Sequence, residues 1–192
     1  MAPRVHIETE RLLLRDWTDA DLAPFAALNA DLRVMEFFVK PLDRTQSDGL
    51  AQRIRANLAR DGWGLYSAEV KDNGAFIGFV GLAVPGFDAP FMPAIEIGWR
   101  LARTAWGGGY ATEGARGVVD HAFGALGMTA LVSFTAEWNR PSRRVMEKLG
   151  MTHDPRDDFI NPRVPAGHKL APHVLYRLDR EGWHAGTALP RS

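Results

Sequence analysis

The segment from Trp106 to Glu113 reads Trp-Gly-Gly-Gly-Tyr-Ala-Thr-Glu and lies near the middle of a 192-residue chain. Three successive glycines leave the backbone free to turn sharply and to approach a ligand closely. Directly after them, apolar residues recur at the spacing of an amphipathic helix as far as Leu126. Unpaired N–H groups and the positive end of the helix dipole meet at such a helix start. The segment therefore indicates an anion-binding turn, although a flexible connection also fits the glycines.

Two common nucleotide-binding motifs do not fit this segment. Gly109 and Gly114 have the spacing of a Walker A loop, but Ala115 stands where that loop needs its lysine. A dinucleotide-binding loop needs a third small residue where Thr112 stands, and an acidic residue that closes a later strand, whereas Asp120 lies inside the predicted helix. The sequence argues against both motifs.

The pattern of apolar residues around this segment predicts one α/β domain. Helices are predicted to start at Thr18, Thr45, Thr112 and Asn139, the first two from capping-box patterns. Strands are predicted over residues 5–15, 65–71, 75–84, 94–101, 130–135 and 173–180. Because no linker-like stretch divides the chain, we expect a single domain over residues 1–192, with a core of about 5–180 and a frayed tail over 184–192.

The composition excludes several classes of protein. Hydrophobic residues make up 46% of the chain and charged residues 24%, as in globular proteins. The 23 basic and 23 acidic residues balance, which gives no reason to expect nucleic acid as a partner. Without cysteine there is no disulfide, thiolate nucleophile or cysteine-ligated metal, and the histidines have no metal-binding spacing. No stretch is long enough to span a bilayer and no signal peptide is visible, so we expect a cytoplasmic protein without membrane or metal.

A second sequence motif lies about thirty residues further along the chain. Residues Asn139 to Met151 read Asn-Arg-Pro-Ser-Arg-Arg-Val-Met-Glu-Lys-Leu-Gly-Met. Together with Trp106–Glu113 it resembles the Gcn5-related N-acetyltransferase (GNAT) superfamily, and within it the ribosomal-protein N-terminal acetyltransferases of the RimJ/RimL type. Residues Thr9–Arg15, which read Thr-Glu-Arg-Leu-Leu-Leu-Arg, resemble that branch's opening strand. The resemblance implies a mostly antiparallel, mixed central sheet flanked by helices, with a V-shaped split between strands 94–101 and 130–135.

The resemblance also implies that acetyl-coenzyme A (acetyl-CoA) lies in this split, with its pyrophosphate on the N–H groups at the helix start. Trp106 stands where the superfamily usually has Gln or Arg, which removes one polar contact. Asn139 is expected to bond the pantetheine arm, to cap its helix, or both. Arg140, Arg143 and Arg144 are secondary candidates, which either reach the phosphates or belong to a solvated helix face. The residues predicted to bind the coenzyme are Trp106, Gly107, Gly108, Gly109, Tyr110, Ala111, Thr112, Asn139 and Arg144.

Two residues are candidates for the chemistry of acetyl transfer. Glu96 lies in the middle of an apolar strand, where a carboxylate is costly unless it has partners. It falls where the superfamily often has a catalytic glutamate, and we interpret it as a general base or as an exposed glutamate on a solvated sheet face. Ser142 is the candidate acid for the leaving thiolate, or only a helix cap. Met146 stands where many members have a tyrosine, and it cannot donate a proton.

We therefore predict an enzyme, an acetyl-CoA-dependent N-acetyltransferase acting on a primary amine. An α-amine is the favoured acceptor because it loses its proton far more readily than a lysine. A small amine such as an aminoglycoside or polyamine is the alternative acceptor, and a non-catalytic CoA-binding regulatory module is the alternative to an enzyme. The acceptor is expected to contact loops 31–45, 85–93 and 153–172, and a homodimer is left open.

Overall fold

A computed structural model describes residues 2–187 of the chain. Within this range, strands and helices follow one another in an order close to the predicted one. They are β1 (Val5–Glu8), β2 (Leu12–Arg15), α1 (Leu22–Ala30), α2 (Arg44–Asp61), β3 (Leu65–Val70), β4 (Ala75–Ala83), β5 (Glu96–Leu101), α3 (Tyr110–Phe123), β6 (Ala130–Ala136), α4 (Arg140–Lys148), β7 (Thr152–His153), β8 (Phe159–Ile160), β9 (Pro172–Asp179) and α5 (Arg180–Thr187).

The chain forms two compact units. The first consists of residues up to Ala83 and of Gly98–Val118, and the second of Val84–Ile97 and of the residues that follow Val118. The chain thus passes between the units three times, and β5 begins in the second unit and ends in the first. A single domain over residues 1–192 stays a prediction.

The first unit contains the antiparallel neighbours β1, β2, β3 and β4 in that order. The prediction of one strand over 5–15 was wrong, because the chain turns between β1 and β2. At this turn the Leu12 amide donates a hydrogen bond to Thr9 Oγ1, and the Thr9 amide donates to the Leu12 carbonyl, each at 3.0 Å. A threonine that satisfies backbone groups in this way favours a turn over an extended chain.

The helices of the first unit begin at or close to the predicted positions. Thr18 and Asp21 form the expected capping box, which opens a short 3-10 turn that leads into α1. In α2 the capping box is made by Asp43 and Gln46, two residues before the predicted cap at Thr45. The side chains buried at the centre of this unit include Leu12, Leu14, Phe25, Tyr66, Ala68 and Val80.

The second unit is organised around β6 and β9, which pair antiparallel. The short strands β7 and β8 pair with β9 inside a region predicted to be a loop. At the other edge of β6, Glu96 of β5 lies parallel and opposite Val132, whose amide donates to the Ile95 carbonyl at 2.9 Å. The predicted α/β class, with a mostly antiparallel mixed sheet and flanking helices, is confirmed, and the V-shaped split stays a prediction.

The sequence predicts a frayed tail from residue 184, but the chain is helical as far as Thr187. Helix α5 continues to that residue, and residues 188–192 lie outside the described part of the chain. Trp183 anchors the helix because its indole Nε1 donates to Asp120 Oδ1 at 2.8 Å. In the part of the chain that was described, no helix is both long and apolar enough to cross a membrane.

Candidate active site

The glycine segment forms an exposed turn that ends at the start of α3. Gly107 and Gly109 adopt φ angles of +77° and +83°, in the left-handed region that favours glycine. A Cβ atom on Gly107 would meet no atom within 4 Å, so the backbone is open to a ligand there. The Glu113 amide donates to the Gly109 carbonyl at 3.0 Å, and the earlier amides of this first turn have no partner within the helix. The turn therefore fits a diphosphate.

Glu113 ties this turn to the chain reversal between β1 and β2. Its Oε1 accepts hydrogen bonds from Thr9 Oγ1 (2.6 Å) and from the Arg11 amide (2.7 Å), and its Oε2 accepts from Arg11 Nε (2.6 Å). Burial opposes the ionisation of Glu113, but these bonds outweigh it and lower the pKa of the carboxyl group. The Arg11 guanidinium also lies 4.5 Å from the centre of the Tyr110 ring. No sequence pattern predicts this network, because its partners are about a hundred residues apart in the chain.

Two further glycines bring α3 close to one face of the first unit's sheet. A Cβ on Gly114 would lie 3.2 Å from Val80 Cγ2 and 3.4 Å from Leu12 Cδ1. A Cβ on Gly117 would lie 2.9 Å from Thr9 Cγ2, which is closer than side chains tolerate. The helix, which starts at the glycine turn, therefore packs on the sheet face that carries Leu12 and Val80.

Trp106 contributes little polar chemistry to the turn. Its indole Nε1 donates to the Leu101 carbonyl at 2.9 Å, which holds the ring while 47% of the residue stays exposed. Its N–H is thus occupied by the protein itself. This agrees with the expectation that tryptophan at this position removes a polar contact to the coenzyme.

Glu96 is a half-buried carboxylate of the second unit. Burial raises its pKa to about 8, although the positive charge of Arg163 partly opposes the shift. A carboxyl group with a pKa close to neutrality suits proton transfer, since it both accepts and releases a proton under physiological conditions. The interpretation of Glu96 as an ordinary exposed glutamate does not account for this desolvation.

Four phenylalanines cluster in the same unit. Phe134 follows Val132 by two residues in β6, so it points to the sheet face that carries Glu96. Arg163, which acts on the Glu96 charge, lies with its guanidinium 5.2 Å from the centre of the Phe87 ring. The sequence predicts acceptor loops over 85–93 and 153–172 but not the cluster itself. Its ring centres are 5.0–6.3 Å apart in all pairs of Phe87, Phe91, Phe134 and Phe159.

Helix α4 lies on the opposite face of β6. Its N-cap is Asn139, whose Oδ1 accepts from the Ser142 amide (3.3 Å) and whose Nδ2 donates to Thr135 Oγ1 (2.8 Å). Thr135 and Phe134 are neighbours in the strand and therefore point to opposite faces. The cap role of Asn139 is confirmed, whereas Ser142 is not the cap. Within residues 2–187 the Ser142 hydroxyl has no hydrogen-bond partner.

The arginines of α4 are in different situations. Arg143 donates from Nε to the Tyr176 hydroxyl (3.3 Å) and from Nη1 to the Glu137 carbonyl (3.2 Å), so it is engaged within the protein. Arg140 and Arg144 are exposed. The tyrosine position of other family members holds Met146, which is 1% exposed and belongs to the core.

The predicted site residues are thus distributed over both units. Residues 106–112 lie in the first unit, and Glu96, Asn139, Ser142 and Arg144 lie in the second. A coenzyme site made from both sets stays a prediction. Among the described residues, no group of three or more His, Asp or Glu side chains is arranged to hold a metal ion.

Comparisons with known proteins identify the family. Residues 11–152 match the acetyltransferase (GNAT) domain. The Bacillus subtilis protein YkkB is 32% identical over 152 residues, which cover 79% of this chain and 87% of YkkB. An acetyltransferase from Agrobacterium tumefaciens is 29% identical and superposes with a TM-score of 0.72 over 94% of this chain and 95% of the other.

RimJ from Mycobacterium smegmatis, solved with CoA-disulfide, is 19% identical, with a TM-score of 0.71 over 97% of this chain and 92% of RimJ. At this identity the likeness shows the fold alone, so the RimJ/RimL branch stays a prediction. The family itself rests on the match over most of the chain and on the relative above 30% identity. The chain therefore belongs to the GNAT family of acetyltransferases, enzymes that move an acetyl group from acetyl-CoA to an amine.

Proposed function

We propose that this N-acetyltransferase acetylates the α-amine at the N-terminus of a peptide or protein, with Glu96 as general base. The observation that carries the proposal is the desolvated Glu96 carboxyl group, whose pKa is raised to about 8. An α-amine has an ordinary pKa of about 7.7–8.0, against about 10.4 for a lysine. A base of this strength takes the proton of an α-amine with almost no free-energy penalty, whereas taking the proton of a lysine costs about 3 kcal/mol.

Glu96 takes the proton that the amine loses, directly or through a water molecule. The nitrogen forms its bond to the acetyl carbon as the bond between that carbon and the coenzyme sulfur breaks. The departing sulfur receives a proton from the Ser142 hydroxyl or from solvent, and Ser142 is then reprotonated by solvent.

The residues proposed to hold acetyl-CoA fit its chemistry. The amides of residues 107–112 favour the diphosphate, because they combine left-handed glycines with a helix start. Asn139 keeps hydrogen-bonding capacity besides its cap, and it offers this to the amide-rich pantetheine arm. Arg144 is exposed and offers a bidentate fork to phosphate. When bound, the coenzyme supplies the acetyl group activated as a thioester.

A small cationic amine is the second candidate acceptor. Glu137 and Asp158 line a cavity of about 300 Å³ in the second unit, beside Phe159. Two carboxylates there favour a polyamine or an aminoglycoside. The phenylalanine cluster, in contrast, favours an apolar residue of a peptide.

An assay of CoA release tests the proposed function. The acceptors are peptides with a free α-amine, the same peptides blocked at the N-terminus but carrying a lysine, and spermidine and kanamycin. We expect turnover with the free α-amine, and a fall in kcat of about 100-fold or more in Glu96→Gln with CoA affinity unchanged. The exposed Glu10→Gln is the matched control and should keep full activity. Full activity of Glu96→Gln, or turnover of lysine but not of α-amines, would contradict the proposal.

A further inference from the structure

We propose that Arg100 forms an anion-binding subsite on the acceptor side of the first unit, and that the amine acceptor therefore carries a carboxylate. This inference rests on the proposed transfer to an amine and adds the chemical class of the acceptor. It depends on the surroundings of one guanidinium group, which contains five N–H donors in a plane.

Arg100 is a half-buried cation that the protein does not neutralise. Its Nη1 donates to Asn29 Oδ1 at 2.7 Å, whereas its Nε is shielded from solvent and has no acceptor. No carboxylate among residues 2–187 forms an ion pair with it. Burial accordingly lowers the pKa of Arg100 to about 10. A shielded charge without a counter-ion is costly, so a residue that served only to stabilise the fold would not be left in this state.

Arg15, in the same unit, differs from Arg100 in this respect. It is 5% exposed, and it donates two hydrogen bonds to the Asp21 carboxylate at 2.8 and 2.9 Å and a third to Glu69 at 2.7 Å. The fold thus neutralises this buried guanidinium with two carboxylates. The counter-ion missing at Arg100 is what a bound anion would supply.

The groups around Arg100 fix the orientation of its guanidinium plane, which suits a planar anion. Its Cζ lies 4.2 Å from the centre of the Phe38 ring and 5.5 Å from that of Phe79, which restrains the guanidinium through its faces. Asn29 is itself buried and held by a hydrogen bond to Ser47 Oγ at 2.9 Å. Nη2 forms no hydrogen bond within residues 2–187 and, unlike Nε, is not shielded from solvent, so a carboxylate would approach there and reach Nε from the same edge in bidentate fashion.

The position of Arg100 assigns the anion to the acceptor rather than to the coenzyme. Helix α3 and its glycine turn pack on the sheet face of Leu12 and Val80. Arg100 contacts Phe79, the neighbour of Val80 in β4, which points to the other face. Phe38, which is 42% exposed, belongs to the segment 31–45 that the sequence predicts to contact the acceptor. A phosphate on the glycine turn would therefore lie across the sheet from Arg100.

Acceptor pairs that differ only in charge test the subsite. The probes are Ala-Glu-Ala-amide against Ala-Gln-Ala-amide, and the dipeptide Ala-Ala against its C-terminal amide, measured both by CoA release and by calorimetric binding to the CoA-loaded enzyme. For at least one pair we expect the wild type to favour the acid tenfold or more. Arg100→Gln and Arg100→Met should bring the preference to within twofold and leave the amide unchanged, while Arg100→Lys keeps part of it. CoA affinity should stay the same in all variants.

Thermal melting of the variants shows whether a loss of preference for the acid comes from a loss of folding. Arg100→Met removes an unpaired charge but also the hydrogen bond to the buried Asn29 Oδ1, so its melting temperature should change by no more than about 4 °C. Arg33→Gln is the matched control, because this side chain is 66% exposed and lies in the same segment as Phe38. It should keep the full preference for the acid.

The outcomes separate this inference from the proposed function. If the acid and the amide are acetylated equally by the wild type, or if the variants keep the preference, Arg100 is not an acceptor subsite although acetyl transfer stands. A loss of CoA affinity in Arg100→Gln would also overturn the inference, since it would assign the anion to the coenzyme. If no α-amine is acetylated, but binding of the acids still depends on Arg100, the proposed function fails and the subsite stands.

Discussion

The proposed role of Glu96 as general base depends on whether its carboxyl group carries a proton at neutral pH. Burial raises the pKa of Glu96 to about 8, so this carboxyl group is protonated in most molecules at pH 7. Its basic form becomes dominant only above pH 8. We predict one glutamate with an inflection near pH 8 in a 13C NMR titration of side-chain carboxyl carbons. The signal should be absent from Glu96→Gln and present in the Glu10→Gln control. If every glutamate titrates below pH 6, the interpretation of Glu96 as a tuned base is wrong.

The same shift links stability to pH. The folded state holds the Glu96 proton up to about pH 8, whereas the unfolded chain releases it near the ordinary value of 4.5. The folded state therefore binds more protons in this window, and the contribution of Glu96 to stability is lost as the pH rises towards 8. The slope is at most about 1.4 kcal/mol per pH unit, and Glu96→Gln should flatten it in urea unfolding measured between pH 5 and pH 8.

Arg100 and Glu113 also mark a limit of sequence-based prediction at the scale of residues. Glu96 and Asn139 could be predicted because each belongs to a short, continuous pattern. The importance of Arg100 and Glu113 depends instead on what surrounds them in the fold, namely Asn29 and Phe38 in one case and Thr9 and Arg11 in the other. No local pattern records such surroundings.

Among the elements, α3 and its glycine turn depend on the anchor that Glu113 provides. In Glu113→Gln the charge-assisted bonds to Arg11 weaken, which should loosen the turn without touching the reacting groups. We predict a dissociation constant for acetyl-CoA raised by about tenfold, equivalent to about 1.4 kcal/mol, and an unchanged kcat at saturating acetyl-CoA. Isothermal titration calorimetry and steady-state kinetics measure the two quantities.

Glu10→Gln serves as the control for this variant, because Glu10 is an exposed neighbour of Arg11. A fall in kcat of Glu113→Gln with unchanged coenzyme affinity would assign Glu113 to the chemical step instead. An equal loss of both would indicate general destabilisation. Thermal melting separates that case from a local effect on the turn.

The elements that could be predicted are those whose ends carry their own signals. The hairpin of β3 and β4 has the predicted position, although the Asn-Gly pattern predicts a two-residue turn and the loop has four residues, 71–74, which end at Gly74 with a left-handed φ of +67°. In contrast, β7 and β8 contain two residues each and exist only through their pairing with β9. The break between β1 and β2 was hidden because both sides of the turn read as one strand.

For the whole molecule, the proposed coenzyme contacts occur in both compact units. Residues 107–112 belong to the first unit, and Asn139 and Arg144 belong to the second. We therefore predict that acetyl-CoA slows amide hydrogen exchange in both segments, because a ligand stabilises the segments that bind it. Hydrogen-exchange mass spectrometry with and without acetyl-CoA measures this. Desulfo-CoA, which lacks the sulfur and the acetyl group but keeps the diphosphate and the pantetheine amides, is a useful control. Protection in a single unit would reject a site built from both.

The division of the molecule into two units could not be predicted from its sequence. Composition shows no linker, because the chain crosses between the units inside regular elements and short connections rather than along a flexible stretch. The fold class and the family could be predicted, since the motif of the glycine turn and the motif over residues 139–151 are each continuous in the chain. The acceptor could not, because its proposed contacts come from separate loops.

The three passages of the chain between the units have a consequence for protein engineering. Neither unit can be excised as one uninterrupted fragment, since residues 98–118 are inserted between two parts of the second unit. Cutting the gene after codon 83 would yield a first polypeptide without the glycine turn. The second polypeptide would carry every proposed coenzyme-binding and catalytic residue but would lack the strands β1 to β4. Reconstitution from these halves would therefore report on their association, with neither half active by itself.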